Sequence, residues 1–285
     1  MEEENKSEIP NLKPKVCLTI AGLDPSGGAG IIADIKTFTA FGCFATSAVA
    51  SLTFQNTTAV FGAIHQTAET VRAQVEPILQ DFEVSALKTG MLPTKEVIEE
   101  VARLIQEYRL QNFVVDPVVR STSGYDLIDD AALESLIEKL FPLSMVITPN
   151  IPEAERIARM KIENADHIRQ AAKIMQNLGA KTVIIKGGHL SVDSEEQKSK
   201  DKGRIARDFM FVGEAEFTFS SEFIETTATH GTGCTFAAAI TANLANGKTL
   251  LEAVETAKRF VTEAIRTAPH LGHGHSPINN SIANF

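Results

Sequence analysis

The feature that most constrains this chain is an alternation of short apolar runs with segments of helical periodicity, sustained from Val16 to Lys186. Val16–Ala21, Ala45–Thr53, Ala86–Thr89, Phe113–Val115, Met145–Thr148 and Thr182–Lys186 read as strands. Between the earlier ones, helices are expected at about Ala29–Phe41, Glu69–Phe82 and Thr94–Arg109. In the last, Val97, Ile98, Val101, Leu104 and Ile105 fall on one face and Thr94 is the expected N-cap. Strand and helix in strict alternation specify βαβ units, hence a mainly parallel sheet covered on both faces. Ligands of such sheets bind beyond the carboxyl ends of the strands. The unusual sequences Gly22–Gly30, Lys88–Met91, Asp116–Gly124, Thr148–Glu153 and Lys186–His189 all follow strands, so they converge on one edge.

The C-terminal third adds other pieces. Asp208–Val212 and Glu216–Phe219 flank Gly213 and predict a hairpin, while the charged stretch Ser191–Gly203 predicts an exposed loop. The polar, Pro-containing residues 1–14 are read as an arm ahead of a single domain, 15–285. A chain of 285 residues can bury one large core. Aromatics are only 6% and Trp is absent, so packing is expected to be aliphatic and Ala-rich.

A net charge of −9 excludes a global nucleic-acid footprint, and any anionic ligand needs a local basic or N–H-rich site. The N-terminus, Met1-Glu-Glu-Glu-Asn-Lys, has neither the basic region nor the apolar core of a secretory leader. No apolar run approaches the ~18–20 residues of a membrane span. Cys17, Cys43 and Cys234 are odd in number and scattered, which argues against a disulfide framework or zinc knuckle and for a reducing, cytoplasmic setting.

The strongest local motif is His230-Gly-Thr-Gly-Cys-Thr, running into an Ala-rich helix expected over Thr235–Asn246. A Gly-rich turn entering a helix aims unpaired N–H groups at one point, a site for a phosphoryl group. Cys234 stands at the first turn, where a helix N-terminus favours the thiolate, and a thiolate could take a proton from a hydroxyl as phosphate transfers. The other reading is a small buried cysteine. Residues 21–30, Ala-Gly-Leu-Asp-Pro-Ser-Gly-Gly-Ala-Gly, form a second Gly-rich turn. The dinucleotide fingerprint is rejected there, because no Asp or Glu lies between Asp34 and Glu69 to meet a ribose. Gly247-Lys248-Thr249 is not a phosphate-binding P-loop, since position 242 is Ala. Gly247 reads as a helix C-cap, and Thr249 with Glu252 as the next capping box.

Asp116, Asn150 and Glu153 at strand ends suit Mg²⁺, directly or through its waters, and Lys186 suits phosphate. Glu153 has a second reading as a first-turn helix acid. The Gln55 amide can pair with an aminopyrimidine edge. Met91 and Val118 are apolar strand-end residues able to cover a flat ring. His270, His273 and His275 are read as part of a structural or lid loop.

Taken together, 21–30, Gln-Asn-Thr (55–57), Leu-Lys-Thr-Gly-Met-Leu (87–92), Val-Asp-Pro-Val (115–118), Thr-Pro-Asn-Ile-Pro-Glu-Ala (148–154), Lys-Gly-Gly-His (186–189), 230–235 and Gly-His-Gly-His (272–275) resemble the hydroxymethylpyrimidine/phosphomethylpyrimidine kinases of thiamine synthesis. The resemblance implies a three-layer αβα ribokinase-like fold, a homodimer in the family's manner, and ATP and Mg²⁺ as cofactors. It implies two successive phosphorylations, of 4-amino-5-hydroxymethyl-2-methylpyrimidine and of its monophosphate. By the family's pattern Gly22, Asp34, Gln55, Met91 and Val118 belong to the pyrimidine pocket. Cys234 takes the place of the general base, and Gly231, Thr232 and Gly233 complete the anion hole. Lys186, Thr232, Asn150 and Glu153 face the nucleotide, and Asp116 and Glu153 organise the metal, mostly through water. Two departures stand out. Phe54 replaces a small residue and is expected to narrow the pocket, and Arg120 and Tyr125 replace turn residues, with Arg120 read as a monophosphate contact or a solvent-facing side chain. The neighbouring readings are a pyridoxal kinase and, in a different class, a non-catalytic sensor on a kinase scaffold.

Overall fold

Successive side chains of the central strands enter two different cores, as a sheet covered on both faces requires. Leu18, Leu87, Phe113, Val115, Ile147, Val183 and Ile185 join one apolar cluster; Cys17, Ala86, Val114, Val146 and Ile184 join the clusters on the other side. The computed structural model describes residues 13–119, 127–188 and 204–282. Along these run β1 (Val16–Leu23), α1 (Gly30–Ala40), β2 (Phe44–Gln55), β3 (Val60–His65), α2 (Ala68–Asp81), β4 (Val84–Thr89), α3 (Lys95–Glu107) and β5 (Phe113–Val115). Then come α4 (Asp130–Ser135), β6 (Val146–Ile147), α5 (Ile151–Ala158), α6 (Ala165–Asn177), β7 (Thr182–Gly188), β8 (Ile205–Val212), β9 (Ala215–Glu222), α7 (Thr232–Ala245) and α8 (Leu250–Arg266).

The strands form one sheet in the order β3-β2-β1-β4-β5-β6-β7-β8-β9. From β2 to β7 the pairing is parallel; β3, β8 and β9 add antiparallel strands at the two edges. Helices α2 to α6 bury their apolar stripes in the first cluster, and α1, α7 and α8 in the clusters opposite. This is a three-layer αβα fold.

Local signals place the helix ends. The Thr94 hydroxyl accepts the Val97 N–H ahead of α3. Thr249 and Glu252 cap α8 reciprocally, and Gly247 takes a left-handed φ of +84° just past α7, so Gly-Lys-Thr joins two helices. The 208–219 hairpin is present and longer than expected. Two differences have physical causes. β3 was not expected; the Asn56 side chain accepts the N–H groups of Thr58 and Ala59 and turns the chain back along β2. Helix α7 begins at Thr232, not Thr235, because Gly231 at φ +86° turns the backbone straight into the helix and makes Cys234 its third residue. Arg120, Tyr125 and the whole 191–203 stretch lie outside the described residues. No described helix is long and apolar enough to cross a membrane.

Candidate active site

The chain leaves β1 toward β2 on one side and returns to β4 on the other. A crevice at such a reversal of strand order is where open α/β sheets bind ligands. Here it opens into a cavity of about 600 Å³. In sheet order its lining runs from Gly22, Gln55, Met91 and Val118, through Asp116, Asn150, Glu153, Lys186 and the 231–234 turn, to Phe223, Ile224, Val261 and Ile265. The last four, in the loop that follows β9 and on α8, were not anticipated. Nothing in their local sequence distinguishes them from ordinary core residues.

The 231–234 turn is locked against the β1–α1 loop. A Cβ on Gly231 would meet the Gly28 carbonyl oxygen at 1.8 Å, and one on Gly28 would meet the His230 ring at 2.3 Å. Only glycine permits this approach. Asp24 holds the loop: Oδ1 accepts from the Ser26 N–H (2.8 Å) and hydroxyl (2.7 Å), and Oδ2 accepts from the Ala29 N–H at 2.9 Å. Oδ2 also lies 2.7 Å from His230 Nε2. Burial works against the Asp24 charge, but the bonds from His230 and Ser26 outweigh it and hold its carboxyl below the usual range. Among the described residues no side chain caps α7. Its first-turn N–H groups are left to face whatever enters the cavity.

Lys186 Nζ lies 3.1 Å from Asp116 Oδ1, which also accepts from the Thr148 hydroxyl at 3.3 Å. A Cβ on Gly233 would stand 3.1 Å from the same Nζ, so the lysine sits at the start of α7. Asn150 and Glu153 cap α5 reciprocally: the Asn150 side chain accepts the Glu153 N–H at 2.9 Å, and Glu153 accepts the Asn150 N–H at 2.8 Å. Glu153 is therefore a first-turn acid and a cavity residue at once. Burial pushes its carboxyl up to about 7, with Lys186 opposing and Asp116 adding.

Three expectations need correction. Asp34 does not line the cavity; it is fully buried behind it, bonded to Lys88 and Thr19. Cys234 does not carry a depressed pKa. Burial pushes the thiol up to about 12, Asp116 and Asp34 add to this, and the opposing Lys88 charge and Gly30 N–H do not compensate. Phe54 does not narrow the pocket, because its ring is 49% exposed on the outer face of β2. The His-rich loop packs on the 55–58 turn, where the His275 N–H donates to the Thr57 carbonyl at 2.8 Å. No group of three or more His, Cys, Asp or Glu able to hold a metal occurs among the described residues.

A family profile described as phosphomethylpyrimidine kinase matches residues 24–279. The chain belongs to this family. A hydroxymethylpyrimidine/phosphomethylpyrimidine kinase of Staphylococcus aureus is 41% identical over 270 residues, covering 94% of each chain. Among solved structures, an ADP complex of Bacillus subtilis pyridoxal kinase superposes with a TM-score of 0.83 at 38% identity, over 94% of this chain and 98% of that one. Phosphomethylpyrimidine kinase from Clostridium difficile gives 0.74 at 39%, over 88% and 99%. Phosphomethylpyrimidine kinase membership and the ribokinase-like fold of these neighbours agree with the parallel sheet and the edge on which the cavity opens.

Proposed function

We propose that the chain uses ATP to phosphorylate 4-amino-5-hydroxymethyl-2-methylpyrimidine and then its monophosphate, in thiamine diphosphate synthesis. The observation that carries this reading is one cavity holding both a flat apolar slot and an uncapped, glycine-locked helix N-terminus, in a chain of this family. The pyrimidine lies between Gly22, Met91 and Val118, with the Gln55 amide on its edge. The adenine end of ATP lies toward Phe223, Ile224, Val261 and Ile265. Lys186, Thr232 and the N–H groups of α7 take the phosphates, and Asn150 and Glu153 border them.

Asp116 and Glu153 suit Mg²⁺ held through water, since part of each carboxylate is already engaged by Lys186 and Thr148 or by the Asn150 N–H. Bound there, the ion would neutralise phosphate charge. The residues themselves align the hydroxymethyl oxygen with the γ-phosphorus and exclude water. Cys234 enters as a thiol and must lose its proton before it can receive the substrate's. Gly231, Thr232 and Gly233 surround the transferring group.

Pyridoxal is the second substrate to test, because a pyridoxal kinase superposes on the chain with a TM-score of 0.83. The experiment is ADP release from Mg·ATP with each ring separately, with Cys234→Ala and a chelator as controls. About two ADP per pyrimidine supports the two-step reading. Release with pyridoxal alone moves the substrate, and binding without ADP release favours a sensor. We also place the protein in the cytoplasm as a homodimer. Leu52, Phe54 and Ile64 share one face of the β2–β3 hairpin by register and are 38%, 49% and 54% exposed beside an open sheet edge. Light scattering on wild type and Phe54→Glu/Ile64→Glu tests it; a monomeric wild type removes the idea.

A further inference from the structure

Behind the cavity lies an ion pair shut off from water. Lys88 Nζ, at the end of β4, donates to Asp34 Oδ2 on α1 at 2.8 Å, and both side chains are 0% exposed. The Thr19 hydroxyl donates to the same oxygen at 2.7 Å, while Asp34 Oδ1 has no hydrogen-bond partner among the described residues. Neither side chain lines the cavity, but only a backbone turn separates them from it: a Cβ on Gly90, which does line it, would stand 3.1 Å from Lys88 Nζ.

A buried pair with an unsatisfied carboxylate oxygen is a poor stabiliser. Desolvation consumes most of the attraction, and apolar replacements of similar volume are often neutral or stabilising. What distinguishes this pair is its place: α7, which carries Cys234, packs on both α1 and β4, the elements that supply Asp34 and Lys88. The charged groups acting on Cys234 are Lys88 from β4, Asp34 from α1, Asp116 after β5 and Lys186 from β7. The two lysines differ in reach. Lys186 is 15% exposed and borders the cavity, so it can touch a phosphate directly. Lys88 acts only through the groups in front of it. Burial opposes its charge, yet Asp34, Cys234 and Asp116 together hold it above the ordinary lysine range, so it stays protonated.

We propose that Lys88, oriented by Asp34 and Thr19, is a positioning residue for phosphoryl transfer, a fixed positive charge that stabilises negative charge on the Cys234 sulfur. The inference rests on the kinase reading above. In the step it serves, the substrate hydroxyl gives its proton to the sulfur, its oxygen bonds to the γ-phosphorus, the bond to the β-phosphate oxygen breaks and ADP leaves. Lys88 keeps its protons throughout.

The test compares Lys88→Met, Asp34→Asn and Lys88→Met/Asp34→Leu with wild type. The first readout is the rate of iodoacetamide alkylation at Cys234 at pH 8.5, mapped by mass spectrometry, without nucleotide or pyrimidine. Alkylation follows the thiolate, so Lys88→Met should slow it about tenfold and Asp34→Asn should speed it about tenfold, one pKa unit each way. The double variant, which removes both charges of the pair, should melt at or above the wild-type temperature, yet alkylate slowly and turn over at least tenfold slower. It also carries the test if Lys88→Met alone does not fold. Shifts of the same sign in the two single variants, or a double variant with wild-type alkylation, would overturn the proposal. Because alkylation needs no substrate, opposite shifts in a protein that releases no ADP would overturn the kinase reading, and with it the role in transfer, while upholding the action of the Lys88 charge on the Cys234 sulfur.

Discussion

His230 Nε2 and Asp24 Oδ2, 206 residues apart in sequence, meet at 2.7 Å and join the anion turn to the β1–α1 loop. The His230 backbone is also tied to the C-terminal segment: its N–H donates to the Ser276 carbonyl and its carbonyl accepts from the Ile278 N–H. One residue thus fixes three segments. His230→Ala and Asp24→Ala should each lower kcat ~10- to 100-fold, and the double variant should be little worse than either, a coupling of about 1–3 kcal/mol. His230→Gln, which keeps a donor, should recover part of the loss. Fully additive effects in a double-mutant cycle on kcat/KM would show that the pair does not act as a unit.

Gly231→Ala should be among the most damaging small changes in the molecule. It places a methyl group 1.8 Å from the Gly28 carbonyl oxygen and forces φ +86° on a residue with a Cβ. The backbone strain alone costs about 1–3 kcal/mol, and relief of the clash must move the loop. A lower melting temperature with a loss of at least ~100-fold in kcat/KM is expected. Near-normal turnover would show that the turn need not hold this geometry.

Glu153 gives a stability effect of defined sign. Its folded pKa of about 7 lies above the unfolded value of 4.5. The folded state therefore holds the proton more tightly, and the penalty for ionising it grows as pH rises from 4.5 and is complete above 7. Glu153→Gln removes the penalty and keeps a side chain able to cap α5. With chelator present it should raise stability at pH 8 by up to about 3 kcal/mol and leave it unchanged near pH 4.5. Denaturant curves at the two pH values measure this; equal effects at both would contradict it. The same variant should weaken Mg²⁺-dependent turnover.

Cys234 sets a kinetic slope. A thiol at about 12 is a small fraction thiolate near neutrality. If the thiolate is the form that accepts the proton, kcat/KM for the pyrimidine rises about tenfold per pH unit between 7 and 9, since that ratio reports the free enzyme. Cys234→Ser should lower the rate and flatten the slope. A wild-type profile already flat over this range would mean that the sulfur contributes by position alone.

The layered fold could be read from the chain because burial on both faces leaves a local mark, apolar runs separated by helical periodicity. Helix ends were legible for the same reason: Thr94 and Thr249 cap with atoms three residues away. β3 escaped because Val60–His65 is an exposed edge strand with no buried face to impose a pattern. The motif residues were found through their glycines and strand-end positions. The apolar end of the cavity was not, since Phe223, Ile224, Val261 and Ile265 carry no signal apart from one another.

By itself the sequence determined which residues would stand at the strand ends, and therefore the edge on which the chemistry gathers. Only the tertiary structure decided what those residues are when they meet there. Asp34 is an interior partner of Lys88, Glu153 is both cap and cavity acid, and Cys234 is a protonated thiol in spite of its helix N-terminus. The reason is physical. Backbone conformation follows from near neighbours, whereas the charge state of a buried group depends on desolvation and on partners brought from far along the chain.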